Sequence, residues 1–287
     1  MALSARSTKR LALASVLAAL LAAPGCVEIV GADLNKYVER DEKQFTVSGK
    51  PEVTLATFDG AIEIRPWDKT DVQVVIEKRG HDHEDVAKIE VKAEQHGNRI
   101  EVSVTEPKRD RSGFNLHFNN RSGRLIVSVP ASADVSAKSG DGSIDIERVL
   151  GHLELRSGDG SIRGRDLGGE VDANTGDGSI KLDGKLTGVR VHTGDGSVTI
   201  RAAAGSVTGA DWDIVTGDGS VTLEVPDGFG AELDAHTGDG SIHLRDVAVT
   251  NVTGEIRKNT VRGRLGDGGK AVRVRTGDGS ITLKKAI

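Results

Sequence analysis

Seven aspartates recur in one setting. Asp141, Asp159, Asp177, Asp195, Asp218, Asp239 and Asp278 each sit inside the pentapeptide TGDGS or SGDGS. Three chemistries use carboxylates in this way. Paired carboxylates do acid–base work in glycoside hydrolysis, carboxylate and carbonyl oxygens ligate Ca²⁺, and Asp-Gly sequences make tight turns. Acid–base catalysis needs two groups in different environments, and copies of one environment supply no such asymmetry. The spacing also departs from the roughly nine-residue repeat of Ca²⁺-binding β-rolls. A stacked Asp ladder would repel by roughly 0.9 kcal/mol per neighbouring pair even in a water-like dielectric. A Ca²⁺ column would relieve that, and flanking Lys and Arg would also temper it. The turn reading covers all seven copies: Gly permits left-handed geometry, and Ser and Thr hydroxyls bond to turn amides. The seven Asp are therefore assigned as structural turn residues, with a cation site as the alternative, and no metal or other cofactor is expected.

The elements that must position these turns follow from the spacing. Successive Asp are 18, 18, 18, 23, 21 and 39 residues apart, and the last interval predicts a copy that has lost its motif. Six residues before each Asp stand Val135, Leu153, Val171, Val189, Trp212, Leu233 and Val272; three after stand Ile144, Ile162, Ile180, Val198, Val221, Ile242 and Ile281. The positions four before and five after are also apolar, except at Gly164, while three before and six after are mostly polar or charged. Each unit thus reads as two short strands, aliphatics inward and charges outward, joined by the GDGS turn. One unit cannot bury its own face. Stacked units form continuous apolar columns at the strand spacing of about 4.8 Å. An antiparallel meander would not need identical residues at identical positions. Upstream, alternation at Val53/Leu55, Ile62/Ile64, Val72/Val74/Ile76, Ile100/Val102/Val104 and Leu125/Val127/Val129 predicts further strands, and only residues 83–89 suggest a helical turn.

The repeated xGDGSI turns and the segment SGKPEVTLATFDGAIEIRPWDKTDVQVVIEK at residues 48–78 resemble an adhesin-like β-helix family of bacterial extracytoplasmic proteins of unknown function. The resemblance spans roughly residues 45–287, with FDGAI at residues 58–62 as a degenerate first turn. It implies an all-β fold: a single-stranded right-handed parallel β-helix, or β-solenoid, with rungs of about 18–21 residues.

At the N-terminus, Arg6, Lys9 and Arg10 precede an apolar run over residues 11–23, and Cys26, the sole cysteine, follows Ala23-Pro24-Gly25. A run that short does not span a bilayer, and it reads as a signal segment. The Cys resembles the acylated residue of a bacterial lipobox, although Ala23 stands where Leu is commoner. Val27, rather than Asp, follows it, and by resemblance to lipoprotein sorting rules that permits the outer membrane. The chain is accordingly divided into a signal peptide at 1–25, a lipidated tether at 26–48 with Cys26 as the attachment site, and a β-solenoid at 49–287. Within the solenoid, 49–130 is irregular and 131–287 carries the GDGS repeats. Loss of the signal's three cations takes the net charge from −5 to −8, which disfavours nucleic acid. Aromatic residues make up 3% of the chain and Gly numbers 37, consistent with many turns around small aliphatic layers.

Smaller constellations have structural explanations. His81-Asp82-His83-Glu84-Asp85 reads as a solvated loop rather than a metal site. His192 and His236 share an outward column two rungs apart, too far for one ion. Phe114, Leu116 and Phe118 suggest an insertion over one end of the stack, and Trp212 falls in an inward column. Together these readings predict a non-enzymatic, lipid-anchored, adhesin-like binding or scaffold module of the cell envelope. It would sit in the periplasm or at the outer membrane or cell surface, held by its lipid and facing an envelope protein or glycan. The alternatives are a Ca²⁺-stabilised solenoid and a carbohydrate-active β-helix enzyme.

Overall fold

Period-2 alternation is realised as strands throughout a computed structural model describing residues 28–29, 37–106, 121–252 and 258–286. Ser122–Val129 alternates half-buried and buried residues along its whole length, and Trp212–Thr216 does the same. One short helix, His83–Ala87, is the only helix among the described residues; the Asp82 side chain caps it by accepting from the Asp85 amide at 2.8 Å.

The strands form one connected 22-stranded sheet built on two ladders. One ladder carries the strands that precede the turns, the other the strands that follow them. We name each rung by its turn Asp. In the Asp141, Asp159, Asp177, Asp195 and Asp218 rungs, neighbours pair in parallel and in register, for example Leu153 with Val171, Val171 with Val189, and Ile180 with Val198. Ile162–Thr175 and Ile180–Thr193, each 14 residues long, run from one ladder into the other and tie them together. The apolar columns meet in a single core that includes Ile144, Ile162, Ile180, Val198, Val221 and Ile281, all at most 1% exposed.

Two irregularities in the columns have packing causes. A Cβ on Gly164 would lie 2.4 Å from Leu167 Cδ1, so Leu167 folds back to fill the place of the missing side chain. The interval of 23 residues before Asp218 widens that rung, and Trp212, fully buried, packs edge-on against Phe229 with ring centroids 5.2 Å apart.

The stack departs from the expected order at both ends. Among the described residues, the interval of 39 residues before Asp278 holds no lost copy: Thr260–Leu265 pairs antiparallel with Ala231–Thr237, and Val249–Thr250 pairs antiparallel with Thr260–Leu265. The Asp278 rung is then inserted between the Asp218 and Asp239 rungs, because Ala271–Thr276 pairs in parallel with both Trp212–Thr216 and Ala231–Thr237. Ile281–Lys285 is likewise held between Val221–Val225 and Ile242–Arg245. At the opposite end, Glu52–Thr57 lies between Arg99–Thr105 and Asp134–Ser139, and Ile62–Pro66 between Ser122–Val129 and Ile144–Glu147. Beyond them Glu90–His96, Val72–Gly80, Tyr37–Phe45 and Glu28–Ile29 add antiparallel pairings. The fold is therefore all-β, a parallel in-register stack closed by antiparallel strands.

The GDGS corner and the charged faces

The corner begins with the residue two before each Asp. Ser139, Ser157, Thr175, Thr193, Thr216, Thr237 and Thr276 are all buried. Each hydroxyl donates to the carbonyl of the second turn glycine on the adjacent rung: Thr175 to Gly160 at 2.8 Å, Thr193 to Gly178 at 2.9 Å, Thr276 to Gly219 at 2.7 Å, Thr237 to Gly279 at 2.7 Å. Several of them also accept from the second glycine of their own turn, as Ser139 does from the Gly142 amide at 3.0 Å. The first glycines form a backbone ladder, with Gly217 N–H donating to Gly194 at 2.6 Å and Gly158, Gly176 and Gly194 each donating to the glycine one rung back. Buried polar groups in this crowded corner are thus satisfied turn to turn.

The glycines are required for a different reason from the one read in the sequence. None of the GDGS glycines has a φ in the left-handed region; only Gly60, in the degenerate copy, does, at 132°. Their constraint is close approach. A Cβ on Gly178, Gly196 or Gly279 would come within 2.1–2.2 Å of the carbonyl oxygen of the glycine on the next rung. The sequence reading assigned Ser and Thr hydroxyls to turn amides in general. What it missed is the buried hydroxyl's second role, bonding to the neighbouring rung.

The seven Asp are brought into one line. All are exposed at the corner, in the spatial order 141, 159, 177, 195, 218, 278, 239, with Asp59 preceding them. Burial, then the neighbouring charge of Asp141, raise the Asp59 carboxyl above its ordinary range against a bond from the Gly60 amide. No group of three or more His, Cys, Asp or Glu is placed to hold a metal ion among the described residues.

The faces follow another rule. Six residues after the Asp, the column runs Arg65, Glu147, Arg165, Asp183, Arg201, Glu224, Lys284, Arg245 in spatial order: sign alternates as far as Lys284, and Arg245 beyond it repeats the positive charge. Glu147 bonds Arg65 and Arg165, each at 3.2 Å, and Glu224 bonds Arg201 at 2.8 Å and Lys284 at 3.0 Å. Burial pushes the Glu224 carboxyl up, but Arg201 and Lys284 outweigh it and hold the group below its usual range. Five before the Asp, the column Glu154, Asp172, Arg190, Asp213, Arg273 and Asp234 alternates from Asp172 onward, with Arg273 inserted between Asp213 and Asp234, while Glu154 and Asp172 are like-charged neighbours. Burial raises the Asp234 carboxyl, while bonds from Arg275 and Arg262 bring it below its ordinary range.

A shallow groove of about 520 Å³ opens where Leu150, 57% exposed, lies beside Lys50, Asp134, His152 and Glu170. Lys50 binds Asp134 at 2.5 Å, and the His152 amide donates to the same carboxylate at 2.7 Å. An apolar residue on an otherwise outward position was the sequence signal for it.

The remaining sequence candidates fall elsewhere. His81 and His83 do not converge: His81 faces Asp82 at 3.6 Å, and the His83 ring meets Tyr37 edge-on at 5.5 Å. The expected loop there is a capped helical turn. His236 bonds Thr260 at 3.0 Å and lies three rungs from His192, not two, because of the inserted rung. Trp212 is core, while Cys26, Phe114, Leu116 and Phe118 lie outside the described residues. No helix among the described residues is long and apolar enough to cross a membrane.

An all-β stack with repeated Asp-Gly corners and ladders of outward charge defines a repeat class. Within that class the chain belongs to the family Toastrack DUF4097, whose model matches residues 51–284. No curated protein matches it. Solved structures similar to it include a provisionally named cell adhesion protein from Clostridium sporogenes ATCC 15579, with 16% identity over 86% of this chain and 100% of that one, at a TM-score of 0.40. A provisionally named adhesin from Bacteroides fragilis NCTC 9343 shares 14% identity over 86% and 97% of the two chains, at 0.36. A provisionally named lipid binding protein from Parabacteroides distasonis ATCC 8503 shares 15% over 85% and 96%, at 0.39.

Proposed function

We propose that this chain is a non-enzymatic, lipid-anchored extracytoplasmic scaffold. In this reading the stack is a single-stranded right-handed β-helix, tethered through Cys26 and residues 26–48, which presents flat charged faces to an envelope protein or glycan. One observation carries it: in-register stacking turns outward residues into columns, of one sign along the corner and of mixed, partly alternating sign on the faces. Such a surface is long, regular and chemically repetitive, and it suits an extended partner. A carbohydrate-active enzyme would need two carboxylates with opposed proton affinities, whereas the corner Asp share one exposed setting.

Proximity labelling of the mature protein in its own envelope tests the reading. A discrete labelled partner, reduced when Asp177, Asp195 and Asp218 are changed to Asn, supports it. Release of sugar fragments by the wild-type chain, lost in Asp177→Asn with the fold intact, would replace it with the enzyme. Fractionation tests the anchor: Cys26→Ser should move the chain from membrane to soluble extract, and an unchanged distribution removes lipidation. Melting with and without chelator tests Ca²⁺, since only a cation-filled corner loses stability when the metal is withdrawn.

A further inference from the structure

The Asp278 rung occupies a slot whose two walls, the Asp218 and Asp239 rungs, are already joined through residues 226–230. Four acidic side chains on and beside the walls meet four basic side chains of the filler, and the Asp239 wall also sets Arg245 beside Lys284. Arg273 pairs with Asp211 at 3.2 Å, Arg275 with Asp234 at 2.5 Å, Lys284 with Glu224 at 3.0 Å and Lys285 with Asp227 at 2.7 Å. Backbone ladders hold the filler on both sides, and its Thr276 and the wall's Thr237 complete the corner bonds at 2.7 Å each. Without the filler, Asp213 would stand opposite Asp234, which opposes closure in that ladder, while Glu224 would face Arg245 in the other. The link into the filler, residues 266–270, reads Gly-Asp-Gly-Gly-Lys, with φ of 50° at Gly266 and 84° at Gly268.

We propose that this slot is an interaction site between two copies of the chain, each receiving residues 270–286 of the other. The ladder, the corner bonds and the ion pairs are the same whether the rung comes from its own chain or from a second copy. Only the conformation of residues 266–270 differs, and glycine there widens the choice. The balance is set by concentration: a short linker gives its own rung an effective concentration of the order of mM, so at about 0.1 mM chain roughly a tenth of the molecules exchange on refolding.

Thr222 and Thr282 are register partners across one slot wall, and Thr199 lies one rung further away. The full chain with Cys26→Ser is prepared with Thr222→Cys in one batch and Thr282→Cys in another; the two are mixed in urea, refolded and oxidised. A covalent heterodimer is expected, on the order of tenfold above a mixture of Thr199→Cys and Thr282→Cys, whose Cα atoms stand beyond the roughly 7 Å limit for a disulfide. Equal yields in the two mixtures, or monomer alone, overturn the proposal. Thr222→Cys/Thr282→Cys in one chain serves as the folding control: an internal disulfide shows the rung seated, and its absence overturns the arrangement itself.

Discussion

In the face column through Glu224, side chains stacked rung over rung alternate in sign from Arg65 to Lys284, whereas along the corner every neighbour is Asp. The same strand spacing governs both. Glu224 is 6% exposed and its carboxylate lies between Arg201 and Lys284, so a like charge above or below it would be uncompensated in a dry setting. At Asp177 the carboxylate is exposed, and water and salt screen its neighbours. What the corner cannot vary is the backbone beneath it: two glycines and a buried hydroxyl that bond and touch the next rung. Repetition there records a steric requirement, while variation around Glu224 records an electrostatic one.

The comparison can be broken most severely at the glycines. Gly196→Ala places a Cβ 2.1 Å from the Gly178 carbonyl and should cost about 3 kcal/mol or more in urea unfolding. Thr193→Val leaves the Gly178 carbonyl without its donor in a fully buried site and should cost about 1–3 kcal/mol. On the face, Glu224→Gln should cost about 1–2 kcal/mol at neutral pH. Because the folded carboxyl titrates below its ordinary range, its contribution is present above that range and lost as pH falls through the folded value. Wild type and variant should therefore converge in acid, and a gap that stays constant with pH would refute the pairing. The smallest effect belongs to Asp59→Asn. The Asp59 carboxyl is raised, so the ionised form disfavours the fold above its ordinary range, and removing the charge should stabilise by under about 1 kcal/mol, less in salt. A loss of stability there would show that the corner charge is structurally required.

Much of this was readable from residue spacing. The four apolar columns name the core, and the Asp alignment names the register, because both depend on local alternation repeated at a fixed period. The inserted rung was not read, since sequence order suggests that the Asp239 rung follows the Asp218 rung directly. A signal was present in one column only: direct succession would set Asp213 against Asp234, which Arg273 separates, but it would also set Glu224 against Arg245, a favourable pair. The reason for the glycines also escaped, because a turn composition is the same whether φ is positive or a neighbour is near. The groove at Leu150 depends on residues from five separate segments, which no single-repeat alignment brings together.

The rung at residues 52–66, flanked on one side by Arg99–Thr105 and Ser122–Val129 and on the other by Asp134–Ser139 and Ile144–Glu147, has a mechanical consequence. Tension arriving from the N-terminal side, once Tyr37–Phe45 has parted from Val72–Gly80, reaches a plank gripped along both edges. Such a plank yields only when bonds in two ladders rupture together, where an outermost strand would peel away one bond at a time.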